Sequence, residues 1–79
     1  MSADEMFEEL GYKKQIVYYS HEIDEIIYEH KGEYSSNIIF RVRNKAFKVY
    51  YGKENKAGNI TIDILQAINA KVKELGWVE

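Results

Sequence analysis

The side chains that could do acid–base or metal chemistry here are few. The 79-residue chain has two histidines, His21 and His30, and no cysteine. Without cysteine there is no disulfide framework, no thiolate nucleophile and no cysteine zinc site. His21-Glu22-x-x-Glu25 lacks the second histidine of an H-E-x-x-H zinc helix. His21 and His30 share a site only by accident of folding, so no metal is expected. Ser20, Ser35 and Ser36 have no G-x-S-x-G context, and Ser20 beside His21 is adjacent in sequence but not aimed at it. Asp24 and Glu25 are sequence neighbours that face opposite ways on a strand. The five glycines are scattered and form no phosphate loop. The expectation is a protein without catalytic residues or cofactor.

Binding chemistry is better represented. Residues 1–36 carry nine acids against three lysines, net -6, and residues 37–79 carry eight bases against four acids, net +4. One reading is that the two halves attract each other in the fold. The other is a basic surface for an anionic partner. Seven tyrosines against three phenylalanines suit a thin core and also suit interfaces, because tyrosine buries a ring and keeps a polar tip wet. In Tyr18-Tyr19 and Tyr50-Tyr51 one ring of each pair is expected in the core and the other on the surface. The sharpest candidate for partner binding is one face of a hairpin carrying Ile39, Arg41, Arg43, Lys48 and Tyr50. Cations around an aromatic ring can track a phosphate backbone and stack a base, but a pI near 5.7 argues against a dedicated nucleic-acid binder.

The elements that position these residues follow from spacing. Ser2 and Glu5 have capping-box spacing, Met6, Phe7 and Leu10 share a helix face, and Gly11 supplies a left-handed stop, which predicts a helix over 3–10. Thr61 caps a second helix over 62–75, with Asp63 early and Lys71 and Lys73 late. Leu65, Ile68, Val72 and Leu75 form its apolar stripe, widened by Ile64. Gly76 and Trp77 end it as Gly11 and Tyr12 end the first. Residues 36–51 read as a hairpin turning at Asn44-Lys45. A two-residue turn pairs Val42 with Phe47, Phe40 with Val49 and Ile38 with Tyr51. On the other face it sets Arg43 by Ala46, Arg41 by Lys48 and Ile39 by Tyr50. Residues 15–20 are β-branched and aromatic. The stretch 20–31 reads two ways: a helix with Ile23, Ile26, Ile27 and His30 on one stripe, stopped by Gly32, or a strand in which Ile26, Tyr28 and His30 alternate with Ile27 and Glu29. The periodicity leans to the helix. Residues 52–60 are a polar, glycine-bounded loop.

Met6-Phe7-Glu8-Glu9-Leu10-Gly11-Tyr12, Ile38-Ile39-Phe40 with Asn44-Lys45, and Ile60-Thr61, Ala67-Ile68-Asn69 and Glu74-Leu75-Gly76-Trp77 resemble small phage and prophage proteins of Gram-positive bacteria. That family has no assigned activity, and its shared motifs bear on fold and not on catalysis. The resemblance implies an extended conformation for residues 24–30, and with it a strand. A helix, three strands and a helix is also similar to the double-stranded-RNA-binding domain. That family needs a lysine-rich start to its final helix, which Ile62-Asp63-Ile64-Leu65 does not provide.

The expected structure is a single α+β domain over 1–79, ordered α-β-β-β-β-α. Its four-stranded antiparallel sheet has strands near 15–20, 24–30, 36–43 and 46–51, and the C-terminal helix packs on one face. The expected core is Phe7, Leu10, Ile38, Phe40, Val42, Phe47, Val49, Leu65, Ile68, Val72 and Leu75. No apolar run suits a signal peptide or a membrane span, so a cytoplasmic protein is expected, in the host cell if phage-encoded. The expected function is a non-enzymatic phage or prophage accessory protein that binds a host or phage protein, in one version as an inhibitor of a host system. The alternative is a weak nucleic-acid-binding module using the basic hairpin face. Like charges oppose self-association through that face, so a monomer is expected, or a weak homodimer through an edge strand or the more acidic N-terminal half.

Overall fold

A computed structural model describes residues 1–30, 36–51 and 60–78, with Ser36 and Tyr51 described by their backbone alone. Helix α1 spans Ala3–Glu9. Its capping box is formed: the Glu5 amide donates to Ser2 Oγ at 3.1 Å and the Ser2 amide to Glu5 Oε1 at 3.2 Å. Helix α2 spans Ile62–Glu74, and Thr61 Oγ1 accepts from the Ile64 amide at 3.3 Å.

Both helices end in the same hydrogen-bonded motif. Tyr12 N–H reaches back to the Phe7 carbonyl and Gly11 N–H to Glu8, each at 3.0 Å. Trp77 reaches Val72 at 3.1 Å and Gly76 reaches Lys73 at 3.0 Å. These are the two bonds of a Schellman cap, and they need the positive φ of Gly11 (91°) and Gly76 (73°).

Four strands, β1 (Lys13–Tyr19), β2 (Glu22–Glu29), β3 (Ser36–Arg41) and β4 (Ala46–Tyr51), pair antiparallel in the order β1-β2-β3-β4. The α+β architecture and the order α-β-β-β-β-α are those expected. The stretch that could be helix or strand is strand β2. Between β1 and β2, Ser20 (φ 50°) and His21 (φ 70°) make a two-residue turn with both central residues left-handed, which matches the right-handed strand twist. Past Val17↔Glu25 the register slips so that Tyr18 faces Ile23, leaving Asp24 as an extra residue on β2.

The β3–β4 hairpin corrects the expected register by two residues. Phe40 faces Phe47, Ile38 faces Val49, Ile39 faces Lys48 and Arg41 faces Ala46, around a four-residue turn 42–45. Val42 and Arg43 enter the turn, and the Val42 amide donates to the Asp24 carbonyl on β2 at 3.0 Å, continuing the β2–β3 pairing one residue past Arg41. Lys45, and not Asn44, takes the positive φ (52°). A slip of two keeps every side chain on its face. The expected sorting of faces therefore stands, while the expected Arg41–Lys48 opposition does not occur.

Both helices lie on one face of the sheet. Phe7, Tyr12, Ile26, Tyr28, Ile38, Phe40, Ala67 and Ile68 form the buried core. Phe7 stacks on Tyr28 with ring centroids 3.9 Å apart and meets Phe40 edge-on at 6.3 Å. Leu10, Val42, Val49, Val72 and Leu75 pack against this core from partly buried positions. Phe47 and Leu65 do not join it; they stay 44% and 42% exposed. The helices cover the centre of the sheet and stop short of Phe47. Helix α2 is turned so that Ala67 and Lys71, and not Leu65, face inward. Tyr18 and Tyr19 are both exposed, so neither ring of that pair enters the core. Tyr51's side chain, and the expected loop and stop at 52–59 and Gly32, lie outside the described residues.

Candidate functional site

The face away from the helices carries the five residues expected to bind a partner. Its central row runs Gln15, Ile27, Ile39, Lys48 across the four strands, and the next runs Val17, Glu25, Arg41, Ala46. Ile27 and Ile39 are half-buried by their cross-strand neighbours, while Arg41 and Lys48 are exposed. Tyr50 lies on the same face opposite Asn37, with the Lys48 ammonium 5.8 Å from its ring centre. Asn37 is itself buried, and its Oδ1 accepts from the His30 amide at 2.8 Å.

The bases on this face are not left to an outside anion. Arg41 Nε lies 3.8 Å from Glu25 Oε2, its directly opposed residue on β2. Arg43 lies 3.7 Å from both Glu22 and Asp24, with its guanidinium 4.8 Å from the centre of the Tyr19 ring. The β2 bulge positions this set, because the extra residue brings Asp24 to the turn that carries Arg43. The acidic first half and the basic second half thus meet along the β2–β3 seam. These pairs are long and exposed, so each stabilises by about 0–1 kcal/mol.

A second polar cluster sits under the helices, and sequence spacing did not reveal it. Asp4 on α1 accepts from Lys14 Nζ at 2.7 Å and from the Tyr28 hydroxyl at 2.5 Å, and Lys71 Nζ lies 3.4 Å away. Lys71 is buried, with Glu74 Oε1 at 4.0 Å and the Tyr28 ring centre at 5.9 Å. Glu74 Oε2 also accepts from the Ala3 amide at 2.6 Å, tying α2 to the start of α1. Partial burial opposes ionisation of Asp4, but the hydrogen bonds from Lys14 and Tyr28 and the charges of Lys71 and Lys14 outweigh it and hold the carboxyl down to about 2. Burial, then the hydrogen bond to Asp4 and its charge, push the Tyr28 hydroxyl far above its ordinary value. The cluster ties α1 to β1 through Lys14, to β2 through Tyr28 and to α2 through Lys71.

Beside it, an open depression of about 690 Å³ lies between α1 and the start of β1, walled by Asp4, Glu8, Tyr12, Lys14 and Tyr28. Of its polar groups, Asp4 is engaged by Lys14 and by the Tyr28 hydroxyl. Among the described residues no group of three or more His, Cys, Asp or Glu is placed to hold a metal ion, and no helix is long and apolar enough to cross a membrane. No family model matches this chain, and no curated protein or solved structure matches it.

Proposed function

We propose that this protein is a non-enzymatic binding module that acts by protein–protein contact through its open sheet face, as a phage or prophage accessory protein able to inhibit a host system in the host cytoplasm. The observation that carries this reading is the composition of that face. Half-buried Ile27 and Ile39 sit at its centre, Tyr50 and Lys48 flank them, and Arg41 and Arg43 are already matched by Glu25, Glu22 and Asp24. An apolar centre with a polar rim suits a protein partner. A phosphate backbone would have to displace carboxylates from both arginines, which disfavours the nucleic-acid alternative. The accessory role is supported by the resemblance of the two helix ends and the hairpin to small phage proteins.

The test pairs two measurements. Immobilised protein is challenged with host lysate in wild-type and Ile39→Asp forms, and a labelled single-stranded oligonucleotide is titrated at several salt concentrations. The expected result is one protein retained by the wild type and released by Ile39→Asp, with negligible oligonucleotide binding at physiological salt. Oligonucleotide binding that weakens linearly in log K against log salt, and further on Lys48→Glu, would replace this reading with the nucleic-acid one.

A further inference from the structure

Strand β1 pairs with β2 on one side and with no described strand on the other. All seven of its residues, Lys13 to Tyr19, are exposed. At the opposite edge, on β4, Val49 and Tyr50 are half-buried. The bulge in the β1–β2 ladder belongs to β2, through Asp24, so β1 itself carries no extra residue that would twist its outer edge away. Edge strands are usually blunted by charge or proline along their length. Here two lysines stand at one end, and the remainder, Gln15-Ile16-Val17-Tyr18-Tyr19, is what a paired strand would carry.

We propose that β1 is a self-recognition edge: it pairs antiparallel with β1 of a second copy of this chain, about a twofold axis at Ile16, joining two four-stranded sheets into one of eight strands. Self-pairing is possible in a register that keeps the lysines of the two copies apart. A twofold axis normal to the sheet sets each residue opposite the one equally far beyond the axis, so the central residue faces itself. Centring on Ile16 is the arrangement that pairs all seven residues. It places Lys13 opposite Tyr19 of the second copy, Lys14 opposite its Tyr18, Gln15 opposite its Val17, and the two Ile16 side chains together. Each lysine meets an aromatic ring, Tyr19 already carrying Arg43 at 4.8 Å, and no two lysines are directly opposed across the strands. Lys14 keeps its ammonium on Asp4 and offers its alkyl stem to the ring.

The helix-bearing face agrees. Ile16, Ile26, Phe40 and Phe47 form one apolar row across a single sheet, and Ile16 at its end is 37% exposed. Joined at the axis, the rows of two copies become one continuous row, and the exposed ends at Ile16 cover each other. The open faces of both copies then point the same way.

Sedimentation of the full chain from micromolar to submillimolar concentration tests this. A species of twice 9.3 kDa is expected, reverting to single-chain mass on Ile16→Lys, which sets two ammonium groups on the axis. Because the chain has no cysteine, register is read by disulfide trapping even where Ile16→Lys fails to fold. Under oxidant, a mixture of Lys13→Cys and Tyr19→Cys proteins is expected to cross-link to each other, while Lys13→Cys alone does not cross-link to itself. A single-chain mass at every concentration overturns the proposal. So does a dimer that survives Ile16→Lys, or one that links Lys13→Cys to Lys13→Cys. Ile39→Asp leaves the expected dimer intact, so failure of this pairing and failure of the open-face reading are seen separately.

Discussion

The two faces of this sheet solve the same problem, a lysine or arginine near carboxylates, in different ways. On the helix-bearing face the Lys71 side chain is 8% exposed and reaches Asp4 at 3.4 Å. On the open face Arg43 is 47% exposed and its partner Glu22 is 77% exposed, at 3.7 Å. A buried ammonium without a partner is costly, so Lys71 requires Asp4 and Glu74. Water solvates Arg43 if its partners leave, so its pairing is dispensable for stability. The covered face therefore spends its polar residues on holding elements together, and the open face keeps its residues available.

Substitutions can break or sharpen that contrast. The largest effect is expected at the centre of the covered face. Phe40 is fully buried among Phe7, Tyr28, Phe47 and Trp77, and Phe40→Ala costs about 3–5 kcal/mol, enough to remove the cooperative thermal transition of a domain this small. Asp4→Ala comes next. It strands the Tyr28 hydroxyl and leaves Lys71 with Glu74 at 4.0 Å, a loss of about 1–3 kcal/mol in urea unfolding. Its pH signature is specific. The folded carboxyl titrates at about 2 against an ordinary 3.8, so its contribution is fully present above 3.8 and is lost as pH falls toward 2. The stability gap between wild type and Asp4→Asn should close over that window and stay constant above it.

The twin caps offer a finer comparison. Alanine at either glycine forces a side chain into positive φ, at about 1–2 kcal/mol. At Gly11 the new Cβ would also lie 2.8 Å from His30 Nε2, whereas at Gly76 nothing lies within 4 Å. Gly11→Ala should therefore lower the melting temperature more than Gly76→Ala, and equal shifts would mean that the imidazole moves aside freely. The smallest effect is expected on the open face, where Arg43→Ala costs less than about 1 kcal/mol, read from the denaturation midpoint.

What could be read from residues alone was local or parity-based. Both caps, both helices and the two-face sorting of the hairpin depend on spacing within a few positions. The hairpin register was not legible, because a slip of two preserves parity and sorts the same side chains onto the same faces. Strand β2 was ambiguous because Ile23, Ile26, Ile27 and His30 satisfy a helical stripe, and Ser20-His21 is not a recognised hairpin pair. Of the candidate residues, Ile39, Arg41, Lys48 and Tyr50 were sorted together by strand parity and Arg43 lies in the 42–45 turn, while their acidic partners were foreseen only as a general attraction between the two halves. The Asp4, Tyr28 and Lys71 cluster was invisible, since its members are 24 to 67 positions apart. The one available hint was a lysine placed one turn from Ala67 and beside Ile68, where an apolar residue would be ordinary.

The contact between α1 and α2 also bears on the order of events in folding. Each strand of the meander pairs with its sequence neighbour, so the sheet closes only short loops. The Ala3–Glu74 and Asp4–Lys71 contacts span 71 and 67 positions and close nearly the whole chain. Such a contact repays its ordering entropy only once the sheet beneath it exists. The hairpins should therefore nucleate, with φ-values highest around Phe40 and Phe47, and the helix pair should dock after the rate-limiting step. Asp4→Ala would then speed unfolding while leaving the refolding rate nearly unchanged.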